Sequence, residues 1–432
     1  MDGIHVSVRI RPLSSSELCS GIQPCCNATS KSSLIITKAG DTGAYLKSQA
    51  TSEFEFAFDA VFDEHESQTE VYNRSAKPYV SKIMQGENVT IFAYGATGAG
   101  KTHTMFGNTR FDSTAAFAGA GIIPQAVADL FGLLHDRQQN AEKGTGEAWA
   151  VSMSYMEVYN EQVCDLLETT NKNLPLREDP DRGVVLVAGL SEFKVDSYAQ
   201  VLELLMKGQV NRKTEATKCN IVSSRSHAIL QFSIIHTRRS GSSNNVTTEC
   251  KLSLIDLAGS ERASATQNSG SRLQESANIN KSLLALANCI NALSERSTAT
   301  ASSSQTPKKG AKKTNVKYRD SKLTHLLKGS LEGSCNLVMI ANINPADNTH
   351  DDTYRTLQYA NRAKNLKVKP CVKEIGTEAP AADREARLKE ENEELRLRLA
   401  ALEQNAQKSS QSEQQLLQAL AQALEALNAS KA

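Results

Sequence analysis

The sequence predicts an α/β fold with three layers, in which helices cover both faces of a central, mostly parallel mixed sheet and a further helix follows at the C-terminal end. Two observations support this prediction. Runs of strand length recur along the chain and are separated by segments with helical periodicity. In addition, the apolar run over residues 90–94 leads directly into a glycine-rich turn and a helical segment, a unit around which the other elements are arranged.

The first part of the chain begins with strand patterns over residues 4–10 and 54–58, where apolar side chains alternate with polar ones. Pro12 has no N–H group and a fixed φ angle, so it is expected to end the first strand. Residues 68–84 have the apolar spacing of a helix, which Gly86 would terminate. These elements lead into the strand that precedes the glycine-rich turn.

Strands and helices continue to alternate after the turn. Apolar stripes predict helices, whereas period-two alternation and short continuous apolar runs predict strands. The predicted helices cover residues 123–134, 161–167, 198–208 and 273–293, and the predicted strands cover residues 149–159, 184–187, 228–236 and 252–257. We expect right-handed connections between the parallel strands.

The chain is predicted to have three regions: a globular domain over residues 1–362, a basic connector over residues 363–380 and a helix over residues 381–432. The third region contains no Gly or Pro, and its leucines recur at intervals of seven residues, as at Leu388 and Leu395. So few heptads leave two interpretations open, a short coiled coil that forms a homodimer and a single helix.

Composition limits the class of protein. The 432-residue chain has a formal net charge of +1 and nine Cys residues, which are scattered and show no C-x-x-C spacing, so we expect reduced thiols rather than disulfides or a zinc site. No run approaches 18 apolar residues, and the N-terminus leads directly into a strand pattern. We therefore expect no membrane span and no signal peptide, and a soluble, intracellular protein. The balanced charge argues against nucleic acid as a partner.

The glycine-rich turn has the spacing G-x-x-x-x-G-K-T of a phosphate-binding loop. Its glycines let successive backbone N–H groups point toward phosphate oxygens, and the N-terminus of the following helix favours the same anion. Lys101 would reach the β- and γ-phosphates, and the Thr102 hydroxyl would hold Mg²⁺. The sequence therefore predicts a nucleotide site with a magnesium ion. The loop consists of Gly95, Ala96, Thr97, Gly98, Ala99, Gly100, Lys101 and Thr102.

Two further stretches narrow the chemistry of this site. An apolar run over residues 252–257 places Asp256 at the end of a strand, and Gly259 follows. In phosphate-loop nucleotide hydrolases, an acid in the first position lies on the Mg²⁺ side, and a glycine N–H group in the second can contact the γ-phosphate. Residues 220–227 supply hydroxyls, an Arg and a His within one loop. Such a loop by itself is usually a surface turn, but beside the other two motifs it indicates a further part of the nucleotide site.

Four motifs together resemble the kinesin motor domain over about residues 4–368. They are R-x-R-P from Arg9, G-x-x-x-x-G-K-T-H-T-M from Gly95, N-x-x-S-S-R-S-H from Asn220 and D-L-A-G-S-E from Asp256. The resemblance implies an ATPase that uses ATP and Mg²⁺, is stimulated by microtubules and converts hydrolysis into plus-end-directed movement. It also implies a location on the microtubule cytoskeleton in the cytoplasm, with the spindle as one candidate place.

The resemblance assigns the nucleotide and its metal to particular residues. Thr102 and Ser224 would be the protein ligands of Mg²⁺, with Asp256 acting through a water molecule. The residues expected to flank the adenine are Arg9, Arg11 and Pro12, with His103 nearby.

The same resemblance implies a device that senses the γ-phosphate. Ser223 would orient the attacking water, and Gly259 would contact the γ-phosphate. Arg225 and Glu261 would pair only when both loops close on that phosphate, which would make the pair a latch with two states. An ordinary structural ion pair is the alternative interpretation of Arg225 and Glu261.

The resemblance also implies a face that binds the microtubule, formed by the helix over residues 273–293 and the segment after it. Residues 295–314 are mostly small and polar, which predicts a surface loop. Because tubulin is acidic, the partner surface should be basic. The basic residues expected to contact the microtubule are Lys308, Lys309, Lys312, Lys313, Lys317, Arg319 and Lys322.

Residues 362–368 resemble the neck linker of kinesins, which docks on the motor core when ATP closes the loops, so residues 363–380 are interpreted as neck linker and connector. Leu366 and Val368 alternate with lysines, as in a strand that adds to the edge of a sheet. A plain tether is the alternative interpretation of this basic segment.

Within the family, residues 93–100, 260–266, 277–286 and 352–364 resemble the class-eight kinesins, which walk toward plus ends and shorten microtubules there. Ser276 and Ala287 stand where Gly is expected in that class, so end depolymerisation is left open. The alternatives are a plus-end transporter without effect on microtubule length and a catalytically silent microtubule-binding scaffold.

Overall fold

The computed structural model describes residues 2–38, 52–108, 119–141, 147–170, 173–179, 184–218, 223–240, 244–261, 271–302, 316–333, 335–368 and 372–377. Residues 1–239 and 247–375 form one large compact unit, and residues 240–246 and 376–432 form a second unit. The described residues of the second unit are the ends of three strands. The region predicted as a C-terminal helix, 381–432, lies outside the described residues, as does its leucine pattern.

The strands are β1 (Asp2–Gly3), β2 (His5–Ile10), β3 (Cys26–Ala28), β4 (Ser33–Lys38), β5 (Ser52–Ala57), β6 (Ala60–Phe62), β7 (Asn88–Tyr94), β8 (Ala148–Tyr159), β9 (Gln162–Asp165), β10 (Leu176–Asp179), β11 (Val184–Val187), β12 (Phe193–Lys194), β13 (His227–Ser240), β14 (Asn244–Asp256), β15 (Cys335–Ile343), β16 (Lys367–Val368) and β17 (Lys373–Thr377). The helices are α1 (Ser15–Cys19), α2 (Gln68–Ser75), α3 (Lys77–Val80), α4 (Lys101–Phe106), α5 (Ile122–Ala141), α6 (Tyr198–Lys218), α7 (Ser271–Ser302), α8 (Lys322–Leu326), α9 (Lys328–Leu331) and α10 (His350–Ala363).

The central sheet has the strand order β12-β8-β13-β14-β7-β15-β2-β6. Neighbouring strands from β14 to β6 run parallel, whereas β8 pairs antiparallel with both β12 and β13. The predicted α/β class and mostly parallel mixed sheet are confirmed. Strand β15 lies between β7 and β2, and all nine of its residues are buried, because helices cover both faces of a central parallel strand.

Two hydrophobic cores lie on the opposite faces of this sheet. One contains apolar side chains of α2, α5 and α6, such as Val71, Ile123 and Val201. The other contains side chains of α7, α8 and α10, such as Leu286, Leu323 and Leu357. The three predicted layers are therefore present. The loop between β7 and α4 is at the carboxyl end of the parallel strands, where such sheets bind ligands.

Two predicted helices differ from the structure. Residues 162–165 form strand β9, which pairs antiparallel with β8, although a helix is predicted over 161–167. Asn160 and Glu161 have φ angles of 49° and 60°, so they form a tight hairpin turn, and the short apolar run after them continues as a strand. The helix predicted over 68–84 is divided into α2, α3 and a 3₁₀ segment, because Pro78 in the first turn of α3 has no N–H group to continue α2. Gly86 ends it as predicted, with φ of 82°.

Helix α7 is longer than predicted. It extends to Ser302 and so includes residues 295–302, which are predicted as part of a surface loop. No Gly or Pro occurs between 295 and 302, so nothing in the backbone stops a helix that has already formed. Residues 303–315 lie outside the described part of the chain, and with them the four lysines at 308, 309, 312 and 313. Within the described ranges, every helix falls short of the length or the apolar character that a membrane span requires.

Candidate nucleotide-binding site

The phosphate-binding loop connects β7 to α4 and has the backbone conformation that its glycines permit. Gly98 and Gly100 have φ angles of 78° and 97°. Gly95 has φ of 147°, and a Cβ atom there would collide with the carbonyl oxygen of Asn342 on β15. Only glycine therefore allows the loop to lie this close to the neighbouring strand. The predicted loop residues follow one another between the sheet and the first turn of α4.

Lys101 lies inside the loop rather than in solvent. Its side chain is buried, and its Nζ donates to the carbonyl oxygens of Gly95 and Ala96, both at 2.8 Å. Burial lowers the pKa of this ammonium group, and the carboxylates of Asp256 and Glu261 oppose that shift. Phosphate oxygens can replace the two carbonyl oxygens as partners of the ammonium group. The role of Lys101 on the β- and γ-phosphates stays a prediction.

The pair expected on the metal side is formed by Thr102 and Asp256. The Thr102 hydroxyl donates to Oδ2 of Asp256 at 2.8 Å, and Asp256 is only 2% exposed. The other carboxylate oxygen, Oδ1, is buried without a hydrogen-bond partner. Such an atom requires a donor, which the water shell of a bound cation would supply. Since no group of three or more His, Cys, Asp or Glu in the described ranges could hold a metal, an ion here would depend on hydroxyls and phosphate oxygens.

Backbone hydrogen bonds join the two loops that flank the cradle. The N–H group of Gly259 donates to the carbonyl oxygen of Ser224 at 2.8 Å, and the N–H group of Ser260 donates to that of Gly95 at 3.1 Å. Ser224 lies in the 3₁₀ turn Ser223–Arg225 directly before β13. The segment after β14 therefore contacts both the phosphate loop and the loop that precedes β13. The side chain of Ser223 lies outside the described part of the structure.

Glu261 crosses onto the phosphate loop. Its Oε2 accepts from the Thr97 N–H group at 2.8 Å, and its Oε1 accepts from the Thr97 hydroxyl at 2.5 Å. A Cβ atom at Gly259 would lie too close to both this carboxylate and the Thr97 hydroxyl, so a larger residue there would force these two side chains to move. The Thr97 N–H group bound in this way is one of the loop N–H groups expected to face a nucleotide. The predicted pairing of Glu261 with Arg225 stays a prediction.

A cavity of about 260 Å³ next to the phosphate loop contains the residues predicted to flank the adenine. Arg9 is buried there, and its Nη1 donates to Oε1 of Gln68 at 2.8 Å and to the hydroxyl of Thr104 at 3.0 Å. Burial lowers the pKa of Arg9 to about 10. Burial, together with the charge of Arg9, lowers the pKa of His103. A neutral imidazole and the Pro12 ring give this cavity surfaces suited to an uncharged base.

Arg11 at the mouth of this cavity is held by three partners, one of which is the carbonyl oxygen of Pro12, 2.6 Å from Nη1. Its Nε donates to the carbonyl oxygen of Gly98 at 2.8 Å, and its Nη1 and Nη2 bind the carboxylate of Glu17 at 2.8 and 2.5 Å. The guanidinium group of Arg11, followed by the hydrogen bonds from Ser14, lowers the pKa of Glu17 to about 2. Arg11 therefore links α1 to the phosphate loop in the fixed orientation of a bidentate pair.

Arg212 on α6 is a site residue that the sequence analysis missed. It is 4% exposed, and its Nε lies 3.2 Å from Oε1 of Glu157 while its Nη1 lies 3.6 Å from Oδ2 of Asp256. Its Nη2 also donates to the backbone carbonyl and hydroxyl oxygens of Ser226 at 3.1 and 3.2 Å. Arg212 follows the buried apolar stripe of Val201 and Leu205, and a charged residue on such a stripe is the signal that could have indicated it.

His227 at the start of β13 is buried beside these charges. Its Nδ1 accepts a hydrogen bond from the Ala258 N–H group at 3.0 Å. Burial, with the positive charges of Arg212 and Lys101, lowers the pKa of His227 to about 3. The imidazole is therefore neutral over the whole physiological range.

This shifted pKa predicts a dependence of stability on pH. The unfolded chain binds the proton of His227 below about pH 6.5 whereas the folded chain does not, so the stability present above that pH is lost as pH falls toward the folded pKa. We expect the difference in unfolding free energy between the wild type and His227→Gln to shrink by about 2 kcal/mol from pH 7 to pH 5. Urea denaturation at several pH values measures it. The change His135→Gln, at an exposed histidine, is the matched control; a difference independent of pH for His227→Gln would contradict the prediction.

The fold and the site define a phosphate-loop nucleotide-binding protein with two loops that contact the cradle. A protein-family model described as the kinesin motor domain matches residues 9–366, so the chain belongs to the kinesin family. It is 41% identical over 408 residues to the kinesin-like protein KIN-8A of Arabidopsis thaliana, which covers 93% of this chain and 52% of the relative. It is 44% identical over 319 residues to the kinesin-like protein KIP3 of Saccharomyces cerevisiae, which covers 73% of this chain and 36% of the relative.

A human relative and a solved structure agree with this assignment. Kinesin-like protein KIF18B of Homo sapiens is 42% identical over 375 residues, which cover 84% of this chain and 41% of the relative. A solved structure described as that of a fast kinesin has a TM-score of 0.71 and 36% identity, and the match covers 88% of this chain and 95% of that structure. The chain spans about half or less of the length of these three curated relatives. As predicted, the class-eight kinesins are among its relatives, and its nucleotide-binding motor domain is confirmed.

Proposed function

We propose that this chain is the motor of a microtubule-stimulated ATPase that moves toward microtubule plus ends. The observation that carries the proposal is the joining of the phosphate loop to the segment after β14, through Ser260 on Gly95 and Glu261 on Thr97. A γ-phosphate in the cradle must displace or reorganise these contacts, since it competes for the same backbone groups. The site can therefore convert the difference between ATP and ADP into a movement of protein segments.

Within this proposal, each residue of the site has its own role in phosphoryl transfer. Lys101 neutralises charge on the β- and γ-phosphates, and Thr102 and Ser224 offer hydroxyl oxygens to Mg²⁺, with Asp256 acting through a water. The metal, when bound, supplies further neutralisation of the leaving and transferred phosphates. Ser223 orients the attacking water. Positioning and charge stabilisation provide the rate because the protein has no covalent step to perform.

The face proposed to bind the microtubule contains an ion cluster around Glu178 of β10. Arg319 Nη2 lies 2.6 Å from Oε2 of Glu178, while His325 Nε2 and Lys328 Nζ lie 2.9 and 3.3 Å from its Oε1. Arg319 is 75% exposed and is one of the residues predicted to contact tubulin. One acidic side chain thus holds three basic groups on a surface proposed to meet an acidic partner. The neighbouring Lys322 donates its N–H group to Oε2 of Glu161 at 2.8 Å.

Removing the charge of Glu178 is expected to strengthen microtubule binding at low salt. The change Glu178→Gln frees three basic groups and raises the local charge by one unit, so the association rate should rise about two- to fivefold, and the gain should disappear at high salt. Co-sedimentation and binding kinetics across ionic strengths measure it. Glu203→Gln on α6 is the control, because it has the same charge change in the layer on the opposite face of the sheet. Equal effects of the two changes would exclude a role for Glu178 in this surface.

The segment after α10 supports a proposed neck linker and connector over residues 363–380, between a motor domain over 1–362 and the helical region over 381–432. Strand β16 pairs antiparallel with β1, with Val368 opposite Asp2 and Lys367 opposite Gly3. Leu366 is buried, and its carbonyl oxygen accepts from the Ile4 N–H group at 3.2 Å. Strand β17 then pairs with β14. We propose that this segment leaves the core when the nucleotide site opens, and that dimerisation through the helical region completes the motor.

Similarity to KIN-8A and KIP3 at 41% and 44% identity supports a class-eight motor that also shortens microtubule ends. Its place would be the microtubule cytoskeleton of the cytoplasm, the spindle included. Two assays test the proposal: phosphate release with and without microtubules, and gliding of polarity-marked microtubules over immobilised protein. Phosphate release that does not rise with microtubules would contradict a motor. Stabilised microtubules that keep their length in ATP while gliding would favour a plus-end transporter.

A further inference from the structure

A single imidazole joins the nucleotide site to the long helix α7. His227 is 2% exposed and Ser282 on α7 is 3% exposed. Nδ1 of His227 accepts from the Ala258 N–H group at 3.0 Å, and Nε2 lies 2.8 Å from the Ser282 hydroxyl oxygen. Because a backbone N–H group can only donate, Nδ1 carries no proton, and Nε2–H of the neutral ring donates to Ser282.

The two residues that the imidazole joins, Ala258 and Ser282, belong to the nucleotide site and to helix α7 respectively. Ala258 directly precedes Gly259, whose N–H group binds the loop before β13 and is the proposed contact of the γ-phosphate. Ser282 lies on the buried side of α7, next to Leu283 in the hydrophobic core, whereas Lys281 and Leu284 are exposed. In the sequence, Ala258 and Ser282 are separated by a segment that includes residues 262–270. The imidazole connects these two residues directly.

We propose that His227 is a positioning residue that transmits the displacement of residues 258–259 to α7, and that its hydrogen bond to Ser282 carries this link. The ring is rigid, and its two nitrogen atoms point in different directions. When Ala258 moves, the imidazole must either move with it and shift Ser282, or lose one of two buried hydrogen bonds. Loss deprives either the Ala258 N–H group or the buried Nε2–H group of His227 of this hydrogen bond, which is unfavourable, so the concerted movement is preferred.

This inference rests on the proposed function, since it names how the nucleotide state reaches the face proposed to bind microtubules. A buried polar cluster that only stabilises the core is the alternative. The two differ in one respect. A structural cluster changes the melting temperature alone, whereas a transmitting residue changes how strongly α7 responds to nucleotide.

Ser282→Ala tests the helix end of the bridge, and Ser282→Thr restores the hydroxyl group. His227→Asn tests the other end, because its shorter side chain keeps an acceptor near Ala258 but does not reach Ser282. Ser75→Ala is the matched control, since Ser75 is also a buried helical serine and donates at 2.6 Å to the Val71 carbonyl oxygen. Basal turnover and ADP affinity are expected to stay within about twofold for Ser282→Ala, because one hydrogen bond outside the nucleotide contacts is lost.

The first measurement is hydrogen exchange of α7 in ADP and in a non-hydrolysable ATP analogue, without microtubules. We expect the wild type, Ser282→Thr and Ser75→Ala to show a nucleotide-dependent change in the protection of α7, and Ser282→Ala and His227→Asn to lose most of it. The second is the ratio of microtubule affinities in the two nucleotides, which should fall about five- to tenfold in Ser282→Ala. The double variant Ser282→Ala/His227→Asn should show no further loss of the response of α7 to nucleotide, because both changes break the same link.

The outcomes distinguish a failure of the inference from a failure of the proposed function. A Ser282→Ala protein whose α7 responds to nucleotide like the wild type, or a wild type whose α7 does not respond at all, overturns the inference. If α7 responds in the wild type and the response is lost in Ser282→Ala, the link is supported even where microtubules fail to stimulate turnover. That last failure would contradict the proposed function instead.

Discussion

Replacing Lys101 by alanine is expected to reduce ATP turnover by at least about 100-fold, because the change removes a preorganised charge from the phosphates. The ammonium group is buried and bound only to two loop carbonyl oxygens, Gly95 and Ala96, among its described hydrogen bonds. It is therefore already in place before nucleotide arrives and need not be reorganised during the reaction. Since it would contact the β- and γ-phosphates in both ground and transition states, ATP affinity should fall together with the rate.

Phosphate release with saturating microtubules, together with binding of a fluorescent ATP analogue, measures both effects. Lys101→Arg is expected to rescue little, because a planar guanidinium group does not fit a space shaped for a compact ammonium ion. Lys207→Ala is the control: this lysine is about half exposed and lies 3.7 Å from Glu168 in an ordinary surface pair. Turnover of Lys101→Ala within tenfold of the wild type would exclude the proposed role of the loop.

The parts of the fold that could be predicted from sequence are those with local signals. The glycines of the phosphate loop and the apolar run that ends at Asp256 each indicate their own structure: the loop follows β7 as predicted, and the strand ends at Asp256 but begins at Asn244 rather than at the predicted residue 252. Strand β15 was not assigned, although it is the buried centre of the sheet. Asn336 and Asn342 interrupt its apolar run, and the reason lies elsewhere in the chain: their amides bind Glu87 and Thr104, both at 2.7 Å.

Prediction from sequence has the same limit at the nucleotide site, where partners from distant elements carry no local signal. The loop residues and Asp256 belong to recognisable motifs, so their meeting at one end of the sheet follows from the strand order. Arg212 lies in no such motif, and the stretch 277–286 that contains Ser282 resembles the class-eight kinesins without indicating a partner for this side chain. Arg212 reaches Asp256 from another helix, and Ser282 reaches His227 across 55 positions of sequence. Sequence patterns report the partners of a residue only within one element, whereas these side chains acquire their role when distant elements pack together.

Arg212 therefore provides the second large expected effect, this time on stability. Its guanidinium group is the buried cation between Glu157, whose side chain is 13% exposed, and Asp256, whose side chain is 2% exposed. Arg212→Met keeps much of the side-chain volume but leaves the two carboxylates in the interior without their cation. Breaking a buried ion pair in this way costs about 3–5 kcal/mol, a large fraction of the stability of a typical domain. We expect the variant to unfold at clearly lower urea concentration than the wild type.

The double variant Arg212→Met/Glu157→Gln distinguishes a charge effect from a packing effect. Removing one of the two stranded charges should recover part of the lost stability, whereas a cavity left by the arginine would be unchanged. Arg355→Met is the control, because Arg355 is 46% exposed and its pair with Asp352 at 3.8 Å should contribute less than about 1 kcal/mol.

Unfolding in the presence of ADP tests whether Arg212 also acts on the nucleotide site. If Arg212 also orients Asp256 on the metal side, the stabilisation by Mg²⁺ and ADP should be smaller in Arg212→Met than in the wild type, because weaker binding yields less linked stability.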